Sequence, residues 1–133
     1  MNVFTEAEIA YLASQRLARL ATVGGDGQPH VVPVGFRYNP EFDTIDVGGR
    51  GFGTSKKFRD ILRNPRVALV VDDVPSEGPW AVRGIEIRGE AEALMSGGEQ
   101  MRPGFDPEMA RIRVKRVLTW GFGANGGGAP PRV

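Results

Sequence analysis

The densest chemical signal in this 133-residue chain is the run Gly48-Gly49-Arg50-Gly51-Phe52-Gly53-Thr54-Ser55-Lys56-Lys57 and the segment after it. Between residues 50 and 66, Arg50, Lys56, Lys57, Arg59, Arg63 and Arg66 stand against a single acid, Asp60. That is a local charge of +5 in a chain whose total is +1. Glycines that expose main-chain amides, the hydroxyls of Thr54 and Ser55, two lysines and the positive start of a helix together form an anion site. A phosphate or a polycarboxylate is the natural guest; the competing reading is a solvated basic helix face. Two nucleotide motifs fail here. Gly48 and Gly53 have the outer spacing of a P-loop, but Thr54 stands where that motif needs lysine. Gly49 to Gly53 reads G-x-G-x-G, one residue short of the dinucleotide fingerprint, and no βαβ unit surrounds it.

Acid–base and nucleophilic chemistry has few candidates. A Ser–His–Asp arrangement would have to use His30, the only histidine, and no serine is marked as a nucleophile. His30, between Pro29 and Val31, reads as a structural or pocket-lining side chain, and Asp72-Asp73 as a strand-end pair beside a loop. The absence of cysteine excludes disulfides, thiolate catalysis, Cys-ligated zinc and iron–sulfur clusters. No catalytic residue and no metal ligand set is assigned. An anion site without a catalytic side chain points to a bound cofactor that carries the chemistry itself. Trp80 and Trp120, both at strand ends, could wall a planar ring or serve as barrel plugs or dimer contacts.

Positioning falls to a set of short elements. Thr5 and Glu8 form a capping box for a helix over about 6–14. Alternation predicts strands over 17–23, 30–38 and 44–48, the first two joined by Gly24-Gly25-Asp26-Gly27. Pro33 inside the second strand requires an edge or a bulge. A helix over about 55–63 places Phe58, Ile61 and Leu62 on one face and ends at Asn64-Pro65. Val67–Val71 is an unbroken apolar run, predicting a strand buried on both faces. One long or two joined strands follow over 80–94. Residues 96–106 read as a loop or a remnant helix, and 112–120 as the last strand, with Ile112, Val114, Arg116 and Leu118 on one face. The expected fold is therefore mainly β, a six-stranded barrel, closed or partly closed, with two or three short helices. Residues 1–122 form one domain and 123–133 a Gly/Pro-rich tail. The near-neutral charge gives no global pull to nucleic acid or membrane, no apolar run spans a bilayer, and the acidic N-terminus is unlike a signal peptide, so the expected location is cytoplasmic.

The chain resembles the split-barrel superfamily that includes pyridoxamine 5′-phosphate oxidase, in particular its branch using the deazaflavin coenzyme F420. The carriers are LATVGGDGQPHVVPVGFRY (20–38), SKKFRDILRNPRVALVVDD (55–73), RGIEIRGEAEAL (83–94) and RIRVKRVLTWG (111–121). The resemblance implies Ser55, Lys56 and Lys57 as phosphate ligands. It also implies Val32, Pro33 and Val34, with Val47 and Gly48, as main chain facing the coenzyme ring. It implies a homodimer with the cofactor groove between barrels, reached across the interface by Trp80, Arg88 or Trp120. Arg50 and the positive surface to Arg66 suit the multiply anionic tail of F420. The implied activity is hydride transfer between F420 and a small organic substrate. The alternatives are an FMN-dependent reductase or oxidase and a non-catalytic flavin- or haem-binding module. The oxidase's Arg-rich strand and its C-terminal Arg and His are not matched, so pyridoxamine phosphate oxidation is not expected.

Overall fold

A computed structural model describes residues 2–75 and 81–122. Its elements are α1 (Glu6–Ser14), β1 (Leu17–Val23), β2 (Pro29–Asn39), β3 (Thr44–Gly48), α2 (Lys56–Arg63), β4 (Arg66–Asp73), β5 (Arg83–Leu94) and β6 (Met109–Trp120). Single 3-10 turns occur at Phe52–Thr54 and Gly98–Gln100. The six strands close into an antiparallel barrel in the order β1-β2-β3-β6-β5-β4. This is the six-stranded architecture that the alternating strands and short spacings predict.

Alternation along each strand fills the barrel. Ala18 and Leu20 of β1, Val34 of β2, Ile45 and Val47 of β3, Leu69 and Val71 of β4, Ile85 and Ile87 of β5, and Ile112 and Val117 of β6 are buried together. Each fully buried aliphatic side chain of this size contributes roughly 1.5–3 kcal/mol. The capping box of α1 forms as expected, Thr5 Oγ1 accepting from Glu8 N and Glu8 Oε1 from Thr5 N. Tyr11 anchors that helix to the sheet by donating to Asp73 at 2.8 Å.

Three sequence expectations change. Strand β4 is not buried on both faces: it alternates, Val67, Leu69 and Val71 inward and Ala68 and Val70 half-buried, because a barrel strand has one face to the core. In β6 the register with β5 shifts between Arg88 and Gly89, which pair with Arg116 and Val114. The extra residue, Lys115, reverses the parity of the strand, so Val117 and Thr119 are buried where Arg116 and Leu118 were expected. On α2, Phe58 and Ile61 are buried while Leu62 is 57% exposed, since the helix rests on the barrel by a narrow face. Among the described residues no helix is long and apolar enough to cross a membrane.

Candidate functional site

The loop from β3 to α2 is built as an N-terminal helix cap. Gly51 takes φ 68°, a conformation that favours glycine, and Phe52 folds into the core. Ser55 Oγ accepts from Phe58 N at 3.3 Å and donates to Phe52 O at 2.6 Å, so its hydroxyl is engaged in capping α2. The two lysines part company. Lys56 turns towards the β1–β2 turn and reaches the Asp60 carboxylate at 3.0 and 3.2 Å. Asp60 is buried, and burial alone would raise its pKa. Hydrogen bonds from Lys56 and Thr22 overcome that and hold it below the usual carboxylate range. Lys57 is half-buried, with its ammonium 5.3 Å from the centroid of the Phe52 ring. Among the described residues no carboxylate lies within 4 Å of it. Loss of solvent lowers its pKa.

The glycine amides expected to receive a guest anion are taken by the chain itself. Asp106 accepts from Gly51 N at 3.0 Å and from Gly53 N at 3.1 Å, and its own amide donates to Gly49 O. The neighbouring Phe105 lies over Gly35 and Gly48, where an added Cβ would meet its ring at 3.0 and 3.1 Å. The segment before β6, read from sequence as an unplaced loop, is thus a strap across β2 and β3. Nothing local in the sequence marks Asp106, because its partners lie 53 and 55 residues away. A phosphate still fits at the first turn of α2. Lys57 is a desolvated cation without a counter-ion, and the Lys56 and Lys57 amides have no acceptor within the helix. The fit is to Lys57 and these amides, and not to the glycine cradle.

The other expected residues fall in separate places. Val34 and Val47 put their side chains into the core and Val32 packs against it, so these positions can offer a ligand only main chain. Pro33 is exposed and causes no bulge: β1 and β2 pair without a break from Leu17↔Gly35 to Val23↔Pro29. It is accommodated because β3 joins β2 only from Gly35 onward, leaving residues 29–34 as an edge. Gly48 is covered by Phe105 and Met101, and Arg50 packs its guanidinium against Gly104. Arg88 lies on β5, diametrically across the barrel from β2, and pairs with Glu86 at 2.8 Å. It lines a groove of about 540 Å³ with Arg66, Lys115 and Pro29, the first residue of β2. Trp80 lies outside the described residues.

A closed six-stranded antiparallel barrel with one strand half unpaired and a short helix after β3 is the architecture of the split-barrel proteins. The chain matches the family described as pyridoxamine 5′-phosphate oxidase over residues 4–132 and belongs to it. It is 51% identical over 119 residues to a 5a,11a-dehydrotetracycline/5a,11a-dehydrooxytetracycline reductase of Streptomyces rimosus, covering 90% of this chain and 84% of that protein. Among solved structures it is similar to the conserved hypothetical protein Rv2991 of Mycobacterium tuberculosis. There the TM-score is 0.67 at 25% identity, with 90% and 86% of the two chains covered. The fold is also that of HupZ from Group A Streptococcus, with TM-score 0.73 at 21% identity and 96% and 100% covered.

Proposed function

We propose that the chain is a reductase that binds a phosphate-bearing flavin coenzyme and reduces an electron-poor carbon–carbon double bond in a polycyclic substrate. The observation that carries this reading is the 51% identity to a reductase of 5a,11a-dehydrotetracyclines across most of both chains. Lys57 and the first-turn amides of α2 hold the coenzyme phosphate, and the edge of β2 at residues 29–34 offers main-chain groups to its ring. A reduced flavin coenzyme held there would contribute hydride-donor chemistry, the double bond gaining one hydride and, from water, one proton. The barrel's part is to anchor, orient and exclude solvent.

FMN is the coenzyme of the oxidase that names the family and needs one phosphate site, which Lys57 supplies. F420 is the second reading, and one observation favours it. Arg50, Arg63 and Arg66 are exposed and have no carboxylate partner among the described residues, a surplus of charge suited to an anionic tail. A homodimer completes the reading. Leu17 and Val31 stand 53% and 64% exposed on adjacent strands, and a second copy laid there about a two-fold axis would set its own β1 and β2 against this face.

The test is an anaerobic incubation of the protein with 5a,11a-dehydrotetracycline and either reduced FMN or reduced F420, followed by mass spectrometry. The expected product is heavier by two hydrogens with at least one coenzyme. Unchanged substrate with both refutes the reading.

A further inference from the structure

Between α1 and the second half of β2 lies a cleft of about 460 Å³ walled by Ile9, Leu12, Phe36, Tyr38 and Pro40. Small-molecule sites span roughly 300–1,000 Å³. The Tyr38 hydroxyl is turned to Asp43 at 2.7 Å, so this residue presents its ring to the cleft as an apolar wall. A second cavity, of about 60 Å³, shares Phe36 and Arg37 with the first and is lined also by Arg16, Arg102 and Phe105. Three arginines therefore line one small cavity.

These arginines are not used up by the fold. Arg16 and Arg102 are exposed and have no carboxylate within 4 Å among the described residues. Arg37 has one ionic contact, at 3.8 Å to Asp46. That carboxylate is already held by Arg111 at 3.0 and 3.1 Å and by Asn39 at 2.8 Å. Like charges gathered at the end of an apolar cleft repel one another until an anion joins them. Planar guanidinium forks match the two oxygens of a carboxylate or an enolised dicarbonyl, and the aromatic walls match a flat ring system.

We infer that this cleft is the substrate subsite. It takes the flat apolar body of a polycyclic ligand between α1 and β2 and seats an acidic oxygen function against Arg16, Arg37 and Arg102. The inference rests on the reductase reading for the ligand's identity, but binding in the cleft requires no coenzyme. Gly35, which lines the smaller cavity, is the residue at which the edge stretch of β2 ends, so a ligand seated there abuts the strand offered to the coenzyme.

The experiment titrates the full chain, without coenzyme, with 2-naphthoate and its neutral counterpart 2-naphthamide, read by naphthalene fluorescence. The acid binds at least about tenfold more tightly than the amide, as charge-assisted hydrogen bonds require. Arg16→Ala and Arg102→Ala, both at exposed positions, each weaken the acid several-fold and leave the amide unchanged. Ala13→Trp, which fills the cleft from α1, weakens both. Equal binding of acid and amide, no binding of either, or arginine variants that bind the acid like wild type would overturn the subsite. Parallel titrations with FMN and with F420 separate the two claims. Discrimination between acid and amide with neither coenzyme bound would refute the coenzyme reading and leave the cleft standing.

Discussion

At the scale of single residues, adjacent lysines carry different duties. Lys57 has no carboxylate within 4 Å among the described residues, and Lys56 is committed to Asp60, which itself accepts from Thr22 at 2.8 Å. Lys57→Ala should weaken FMN binding by roughly 1.5–3 kcal/mol, the worth of a charge-assisted hydrogen bond, with little change in thermal midpoint. Lys56→Ala should do the reverse, lowering the midpoint by a few degrees while FMN affinity stays within about twofold. Fluorescence titration and thermal unfolding of both variants check this, and interchanged effects would contradict it. From the sequence the two are indistinguishable, because the difference depends on which side of α2 faces the β1–β2 turn. Asp106 was hidden for a similar reason: an acid in a loop becomes a clasp only when the chain returns to Gly51 and Gly53. Asp106→Ala should cost about 0.5–1.5 kcal/mol, the net worth of a hydrogen bond to amides that water can reach. It should also raise hydrogen exchange at Gly51 and Gly53 above the rest of the barrel, and unchanged protection there would contradict the clasp.

At the scale of elements, local pattern and local chemistry carried most of the reading. Strand-type patterns and the unbroken run Val67–Val71 located the six strands, and the Thr5–Glu8 box and Asn64-Pro65 bounded the two helices. The failures were non-local. The β6 parity depends on a bulge opposite β5, the exposure of Leu62 on how α2 meets the barrel, and the strap over Gly35 and Gly48 on a contact between distant segments. The tyrosines give these joints a pH signature. Burial and a hydrogen bond to Asp43 push Tyr38 up to about 12, and burial and Asp73 raise Tyr11 as well. An acid raised in the folded state stabilises the fold below its unfolded pKa of 10.0, and that stability is lost as pH rises above it. Phenolate absorbance should therefore show no ionisation step at pH 10 while the circular dichroism stays native, and both phenols should ionise together on alkaline unfolding. A step at pH 10 in the folded protein would contradict both contacts.

At the scale of the whole molecule, the groups that the family resemblance unites are spread around the barrel. Lys57 stands on α2, which packs on β1 and β5, and Arg88 on β5 shares one groove with Pro29 at the start of the β2 edge, so the proposed homodimer rests on the exposed apolar residues Leu17 and Val31. Leu17→Asp or Val31→Asp, each placing a charge on an apolar outer row, should shift sedimentation from dimer to monomer and weaken coenzyme binding together. Monomeric wild-type protein that binds coenzyme fully would contradict the shared groove. The central claim is that a phosphate-bearing flavin coenzyme is held at the start of α2. The most direct test is to titrate the purified protein with FMN and with F420 at low and high salt, following coenzyme fluorescence. The account predicts saturable binding, about micromolar or tighter, for at least one of them, weakening as salt screens the cationic site. Failure to bind either, or an affinity indifferent to salt, would contradict it.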